Sequence, residues 1–170
     1  MSLLTRRNLL TGLSASLITP SLAAPAIAKS TTRQHVTQVQ VRKAARKIDL
    51  IGGGRVLRSY DMRLGFSPIG KKRFQGDGKT PEGAYRIDRR NAQSKFYRSI
   101  GISYPNRHDI SYARAHGRSP GGAIFIHGQV NGHRHTQQHD WTLGCVAVSN
   151  SDMDEIWRFV PVGCGITLFS

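Results

Sequence analysis

Gly52-Gly53-Gly54 is the feature that most narrows what this chain can fold into. It lies between Arg46-Lys47-Ile48-Asp49-Leu50-Ile51 and Arg55-Val56-Leu57-Arg58-Ser59-Tyr60, two short runs with strand character. Glycine enters the positive-φ conformations a tight reversal needs, so the segment reads as a β-hairpin. The same pattern extends in both directions. His35-Val36-Thr37-Gln38-Val39-Gln40-Val41 alternates polar and apolar residues, the mark of a half-buried strand. Asp61-Met62-Arg63-Leu64-Gly65 continues the second hairpin strand toward a Gly-, Pro- and Lys-rich loop from Phe66 to Gly83, after which Ala84–Asp88 resumes a strand. Phe96 to Tyr104 predicts another strand, and Ala123-Ile124-Phe125-Ile126 is the continuous apolar run of a buried one. Val162-Gly163-Cys164-Gly165 turns into a terminal strand.

Helical signals are few and short. Asn106 to His116 predicts a helix ended by Gly117. Ser149 or Asn150 caps a second, with Asp152, Asp154 and Glu155 in its first turns, where acidic groups suit the helix dipole. Met153, Ile156, Trp157 and Val160 give that helix an apolar face, and Pro161 stops it. The expected fold class is mainly β, with one or two short helices.

The N-terminus reads as an address rather than as structure. Thr5-Arg6-Arg7-Asn8-Leu9-Leu10 opens a basic region, a mildly apolar stretch runs to about Pro20, and Ala26-Ile27-Ala28 fits a signal-peptidase site. The paired arginines match a twin-arginine export signal, with a Sec signal as the alternative. The apolar stretch is too interrupted to span a bilayer, so no transmembrane segment is expected in the mature chain. The expected organisation is an export signal over residues 1–28, a flexible mature N-terminus over 29–35, and one domain over 36–170. Roughly 140 residues suffice for one domain with its own core. The expected location is periplasmic or otherwise exported.

The formal net charge is +15, and only Arg6 and Arg7 among the charged residues leave with the signal. No nucleic-acid partner is expected. The lysines and arginines are spread from Arg33 to Arg158 without a recognition-helix or aromatic RNA-binding pattern. An anionic, carboxylate-rich cell-envelope polymer explains the charge, as does simple solubility.

Chemistry collects between Ile124-Phe125-Ile126-His127-Gly128 and Asp140-Trp141-Thr142-Leu143-Gly144-Cys145. A thiolate attacks carbonyls, an imidazole takes and returns the proton, and backbone amides at a glycine turn can hold the oxyanion. His127 at a strand end projects into a cleft, Gly128 permits the sharp departure after it, and Gly144 permits close backbone approach beside Cys145. A nearby imidazolium would lower the pKa of the thiol. Cys164 reads instead as a buried structural thiol, although pairing of the two cysteines in an oxidising compartment stays open.

Two competing motifs are present. Gly76-Asp77-Gly78-Lys79-Thr80 lacks the full phosphate-loop spacing and runs into Pro81, so it reads as a shaping turn. His127, His133, His135, His139, Asp140 and Cys145 form a dense run of possible zinc ligands, which makes a zinc-dependent envelope hydrolase an alternative. No recognised zinc spacing is present, and a histidine-rich lid over the cleft is the simpler reading, so no metal or other cofactor is expected. A non-catalytic wall-binding module would have no need of the Cys145 and His127 pair.

The ordered motifs resemble the L,D-transpeptidase catalytic domain family, the YkuD-like domains. They are a strand ending at Leu64-Gly65, Thr80-Pro81-Glu82-Gly83-Ala84-Tyr85, His127-Gly128, and Thr142-Leu143-Gly144-Cys145. The resemblance runs from about Val36 to Phe169. Asp140-Trp141-Thr142 and Asn150–Trp157 resemble its YafK-like branch. Many members carry His where this chain has Leu143, and Arg or Asn where it has Ala147. The resemblance implies a β-sandwich and attack by Cys145, assisted by His127, on the L-centre carbonyl of diaminopimelate in peptidoglycan peptide stems. D-Alanine leaves, and the thioester passes to an amine, giving a 3→3 cross-link or an attached protein. Water as acceptor is the alternative, either trimming stems or detaching an envelope lipoprotein. It further implies oxyanion amides at Gly144 and Cys145, a Gly128 carbonyl that orients the imidazole, and a cleft walled by Trp141 and Thr142.

Overall fold

The computed structural model describes residues 35–132 and 139–170. The export signal, most of the 29–35 segment and the His133 and His135 part of the loop lie outside the described residues. The elements in chain order are β1 (Gln38–Arg42), β2 (Lys47–Gly52), β3 (Arg55–Asp61), β4 (Gly83–Ser94), β5 (Tyr97–Ile102), α1 (Arg107–Ala115), β6 (Phe125–His127), β7 (Val146–Ala147), α2 (Asn150–Phe159) and β8 (Gly165–Phe169). The expected class holds, being mostly β with two short helices.

The Gly52-Gly53-Gly54 turn joins β2 to β3 antiparallel, with Gly53 and Gly54 at φ +58° and +74°. Strand order is β3-β2-β1-β8-β4-β5-β6-β7. β4 links the two halves. Its first residues, Gly83–Arg86, pair with β8, and from Ile87 onward it pairs with β5. Register shifts between Ile87 and Arg89 and between Asn91 and Ser94 bend the strand as it changes partner. Beyond β3 the chain reaches the far end of the order, where Arg63 bridges Ala147 and Gly65 bridges Thr142. That closure carries the segment after β3 to the turn before Cys145.

The core follows the alternation read from the sequence. Val39 and Val41 of β1 and Ile48 and Leu50 of β2 are fully buried, meeting Ile87, Ile100, Ile102 and Ile126 from the other half. Burying a side chain of this size contributes about 1.5–3 kcal/mol, so this stripe is the main stabilising element. Helix α2 adds Met153 and Ile156, and its cap is Ser149, whose hydroxyl accepts from the Asp152 amide at 3.1 Å. Helix α1 begins with a capping box in which Asn106 and Asp109 satisfy each other's amides. Asp109 is buried, pairs with Lys71 at 2.9 Å and accepts from the Tyr85 hydroxyl at 2.7 Å. Burial, reinforced by that bond, pushes the Tyr85 hydroxyl far above its ordinary pKa. Cys164 sits in the core and both cysteines are free thiols.

Three element boundaries differ from expectation, each for a local reason. β3 stops at Asp61, because Arg63 and Gly65 leave the hairpin for the opposite end of the order. β6 starts at Phe125 rather than Ala123, because the preceding turn runs through Ala123 at φ +54°. β4 continues to Ser94 through exposed Arg89-Arg90-Asn91, held by pairing with β5 rather than by alternation.

Candidate active site

The loop after β3 is built first, because the site rests on it. Asp77 accepts from the amides of Arg73, Phe74 and Lys79 and from the Lys72 ammonium, at 2.7, 2.9, 3.1 and 2.9 Å. These bonds outweigh the penalty of burial and hold its carboxyl below the ordinary range. Gly76-Asp77-Gly78-Lys79-Thr80 is thus a shaping turn. Lys43 is buried and pins the far side of the loop, donating to the carbonyls of Gly70 and Thr80 and pairing with Glu82 at 2.6 Å. Part of the basic excess is therefore internal scaffolding.

The glycine turn before the cysteine packs onto this loop. Gly144 stands at φ +124°, and a Cβ there would lie 2.6 Å from the Lys79 carbonyl oxygen. Gly65 is as tight, since its Cβ would fall 2.0 Å from the Gly78 oxygen. Thr142 is buried inside the turn: its hydroxyl donates to the Cys145 carbonyl at 2.8 Å and accepts from the Gly144 amide at 3.1 Å. Thr142 thus shapes the turn from within instead of walling the cleft, and the Gly144 amide is already engaged. Asp140 anchors the lead-in, gripping Arg46 through both oxygens and accepting from the Leu64 amide at 2.8 Å. Arg46 occupies the β1–β2 turn at φ +54°.

Parallel pairing of β6 with β7 sets His127 beside Ala147 and Ile126 beside Val146. Cys145, one residue before β7, accepts from the Phe125 amide at 3.4 Å through Sγ, which also lies 3.6 Å from the Ala123 carbonyl. His127 Nδ1 is 2.6 Å from the Gly128 carbonyl, and that bond makes Nδ1 the donor and leaves Nε2 as the base position. Gly128 is locked from behind, because a Cβ there would meet Asn150 Oδ1 at 2.5 Å. Phe96 lies over the imidazole at 4.6 Å between centroids, and Trp141 meets it edge-on at 5.7 Å. A cavity of about 250 Å³ is lined by His127 and Cys145 with Phe96, Ser99, Ala123 and Phe125. A wider groove of about 580 Å³ meets it at Ala123 and is walled by Phe66, Lys72, Gln75, Gly121 and Leu143 among others. Of the expected site residues, His127 and Cys145 share the cavity, Gly128 and Gly144 sit directly behind them, and Trp141 flanks the imidazole. Leu143 is 79% exposed on the groove, whereas Ala147 is buried in β7.

Electrostatics favour neutral partners at rest. Burial lowers the His127 pKa, only partly offset by its bond to Gly128. Burial raises that of Cys145, only partly offset by the Phe125 amide and the Lys72 charge. Both directions work against the expected imidazolium–thiolate pair and toward an imidazole and a thiol, which suits proton transfer during attack. Among the described residues, no group of three or more His, Cys, Asp or Glu side chains is placed to hold a metal ion.

Sequence reasoning missed Phe96, Phe125 and the Arg46–Asp140 anchor. Their roles come from strand register and closure, which leave no local motif.

Comparison with known proteins gives a consistent picture. The L,D-transpeptidase catalytic domain (YkuD) matches residues 37–167. YafK of Escherichia coli K12, which is named for the same family, is 34% identical over 128 residues, 72% of this chain and 46% of that protein. The chain thus spans under half of that relative's length. The helical cell shape determining protein Pgp2 of Campylobacter jejuni superposes with a TM-score of 0.62 at 23% identity, covering 77% of this chain and 46% of that one. Bd1075 of Bdellovibrio bacteriovorus gives 0.57 at 22%, covering 82% and 50%. These two structures share the fold.

Proposed function

The chain belongs to the L,D-transpeptidase catalytic domain family, and on that premise we propose that it is an exported cysteine acyl-transfer enzyme acting on peptidoglycan peptide stems. The observation that supports this best is one cavity lined by Cys145 and His127, with the imidazole fixed through Nδ1. The Cys145 thiol gives its proton to His127 Nε2 as Sγ attacks the diaminopimelate L-centre carbonyl. The Cys145 amide steadies the oxyanion while the C–N bond to D-alanine breaks, and the amine leaves with the proton from His127. The acceptor amine then loses its proton to His127, attacks the thioester and returns Cys145 to the thiol. Water in that place gives hydrolysis. No helix among the described residues is long and apolar enough to cross a membrane.

The direct test is mass analysis after incubation with diaminopimelate-containing tetrapeptide stems. Loss of D-alanine with a thioester on Cys145 is expected, and the products tell amine from water as acceptor. Intact stems and unmodified protein would remove the reading.

Two further outcomes separate this mechanism from its competitors. Because burial lowers the His127 pKa, the base form is present throughout neutral pH and is lost only as pH falls through that lowered value. The acid limb of kcat/KM is therefore expected below the ordinary imidazole range of about 6.5. A limb centred above neutrality would contradict a buried neutral imidazole. Dialysis against a chelator is expected to leave turnover unchanged, whereas a loss restored by zinc would favour the zinc hydrolase.

A further inference from the structure

The peptide unit between Gly128 and Gln129 is held at both ends. Its carbonyl oxygen, on Gly128, takes the hydrogen bond from His127 Nδ1 at 2.6 Å. Its N–H, on Gln129, donates to the side-chain Oδ1 of Asn150 at 2.8 Å. The N–H and C=O of one trans peptide share a plane and point in opposite directions. Whatever holds the N–H therefore also aims the carbonyl, and a bond at one end polarises the group at the other. Asn150 thus stands one peptide away from the oxygen that sets which imidazole nitrogen carries the proton.

Helix α2 has its cap without this carboxamide. Asn150 is the first residue of α2, but the capping oxygen is that of Ser149, which accepts from the Asp152 amide at 3.1 Å. The Asn150 Oδ1 lies instead against the loop after β6, where a Cβ on Gly128 would fall 2.5 Å from it. The neighbouring backbone has other partners. The preceding peptide, His127–Gly128, is held on both sides: the Gly128 amide donates to the Phe96 and Arg98 carbonyls at 3.1 and 3.2 Å, and the Val148 amide donates to the His127 carbonyl at 2.9 Å. The Gln129 carboxamide donates to the Val148 carbonyl. None of these bonds engages the Gly128–Gln129 peptide unit itself, on which the imidazole leans.

We propose that Asn150 is a positioning residue for proton transfer: its Oδ1 fixes the Gly128–Gln129 peptide so that the Gly128 carbonyl keeps His127 in the Nδ1–H tautomer, leaving Nε2 as the base. Without that bond the peptide tilts and the bond from Nδ1 loosens. The other tautomer is then populated, in which Nε2 already carries its proton and cannot take one from Cys145.

Asn150→Ala removes the acceptor and puts a good helix former at the start of α2. The first readout is the nitrogen NMR spectrum of the neutral His127 imidazole, identified by its absence in His127→Gln. Wild type is expected to show the Nδ1–H tautomer alone, and Asn150→Ala a mixture of the two. The second readout is turnover of tetrapeptide stems, in which Asn150→Ala is expected to lose about tenfold in kcat with KM unchanged. Asn150→Asp keeps a side-chain oxygen for the Gln129 amide, so it is expected to retain the Nδ1–H tautomer and to bring kcat within about threefold of wild type. A role confined to packing or to the helix would move the melting temperature and leave the tautomer alone. Should the alanine variant not fold, Asn150→Ser, whose hydroxyl ends one bond short of the Oδ1 position, takes its place with the same expected mixture. An unmixed Nδ1–H tautomer in the alanine or serine variant, an undiminished kcat in either, or a mixture in Asn150→Asp overturns the assignment. The kcat arm rests on the acyl-transfer reading above and the tautomer arm does not. If wild type turns over no stem, that reading has failed by itself, and the imidazole spectrum decides the role of Asn150.

Discussion

Cys145→Ala is expected to lower D-alanine release by more than about 10³-fold while the protein melts within a few degrees of wild type. The chemical half follows from the lining of the cavity, where Cys145 is the only thiol among the described residues. Ser99 shares its lining but is a β5 residue paired with His127, so its backbone is tied to the strand and not to the turn that presents Cys145. The stability half follows from the weak contacts of Sγ, a 3.4 Å approach from the Phe125 amide and a 3.6 Å approach to the Ala123 carbonyl. Alanine keeps the Cβ and discards a half-buried thiol, a change of about 1 kcal/mol. The measurement is stem turnover by mass analysis beside thermal unfolding of the same preparation. Turnover within tenfold of wild type would remove Cys145 as nucleophile, and a collapsed melting temperature would show that Sγ holds the fold. Cys164→Ala gives the contrast. That thiol lies in the core, so its loss is expected to act on stability and to leave chemistry at Cys145 in place.

Gly144→Ala is expected to destabilise the protein by about 3 kcal/mol and to reduce turnover together with it. Two independent effects add at this position. The backbone stands at φ +124°, outside the ordinary range of L side chains, and a Cβ would press to 2.6 Å from the Lys79 carbonyl oxygen. Neither obstacle is a flexible side-chain tip, so relief requires the turn to move away from the Asp77 loop. Such a shift also displaces the Thr142 hydroxyl, which bonds both Gly144 and Cys145, and through it the sulfur. Chemical denaturation read together with kcat/KM checks the coupling. A variant as stable as wild type would show that the contact between the turn and the loop is looser than described.

The local elements were legible because their causes are local. Alternation in Val36–Val41, the Gly52-Gly53-Gly54 turn that joins β2 to β3, and the Ser149 cap of α2 each act over a few residues. So do the Thr142-Leu143-Gly144-Cys145 and His127-Gly128 motifs that carry the family resemblance. The site's second layer was not legible. Phe96 over the imidazole, Asp140 clasping Arg46, and the inward turn of Thr142 all depend on which strands become neighbours.

By itself, then, the sequence determined the strand-rich class, the turns, and the motifs that single out Cys145 and His127 as candidates. Only the tertiary structure decided that β6 and β7 pair so that both line one cavity, and that the Gly65 and Thr142 segments close the strand order beneath them. It also set how strongly each partner is desolvated. Burial lowers the His127 pKa and raises that of Cys145, both in the direction of a neutral pair where composition alone suggested an ion pair. The reason is one of range: periodicity and turn chemistry are set by residues adjacent in the chain, whereas desolvation is set by everything that packs around a group in space.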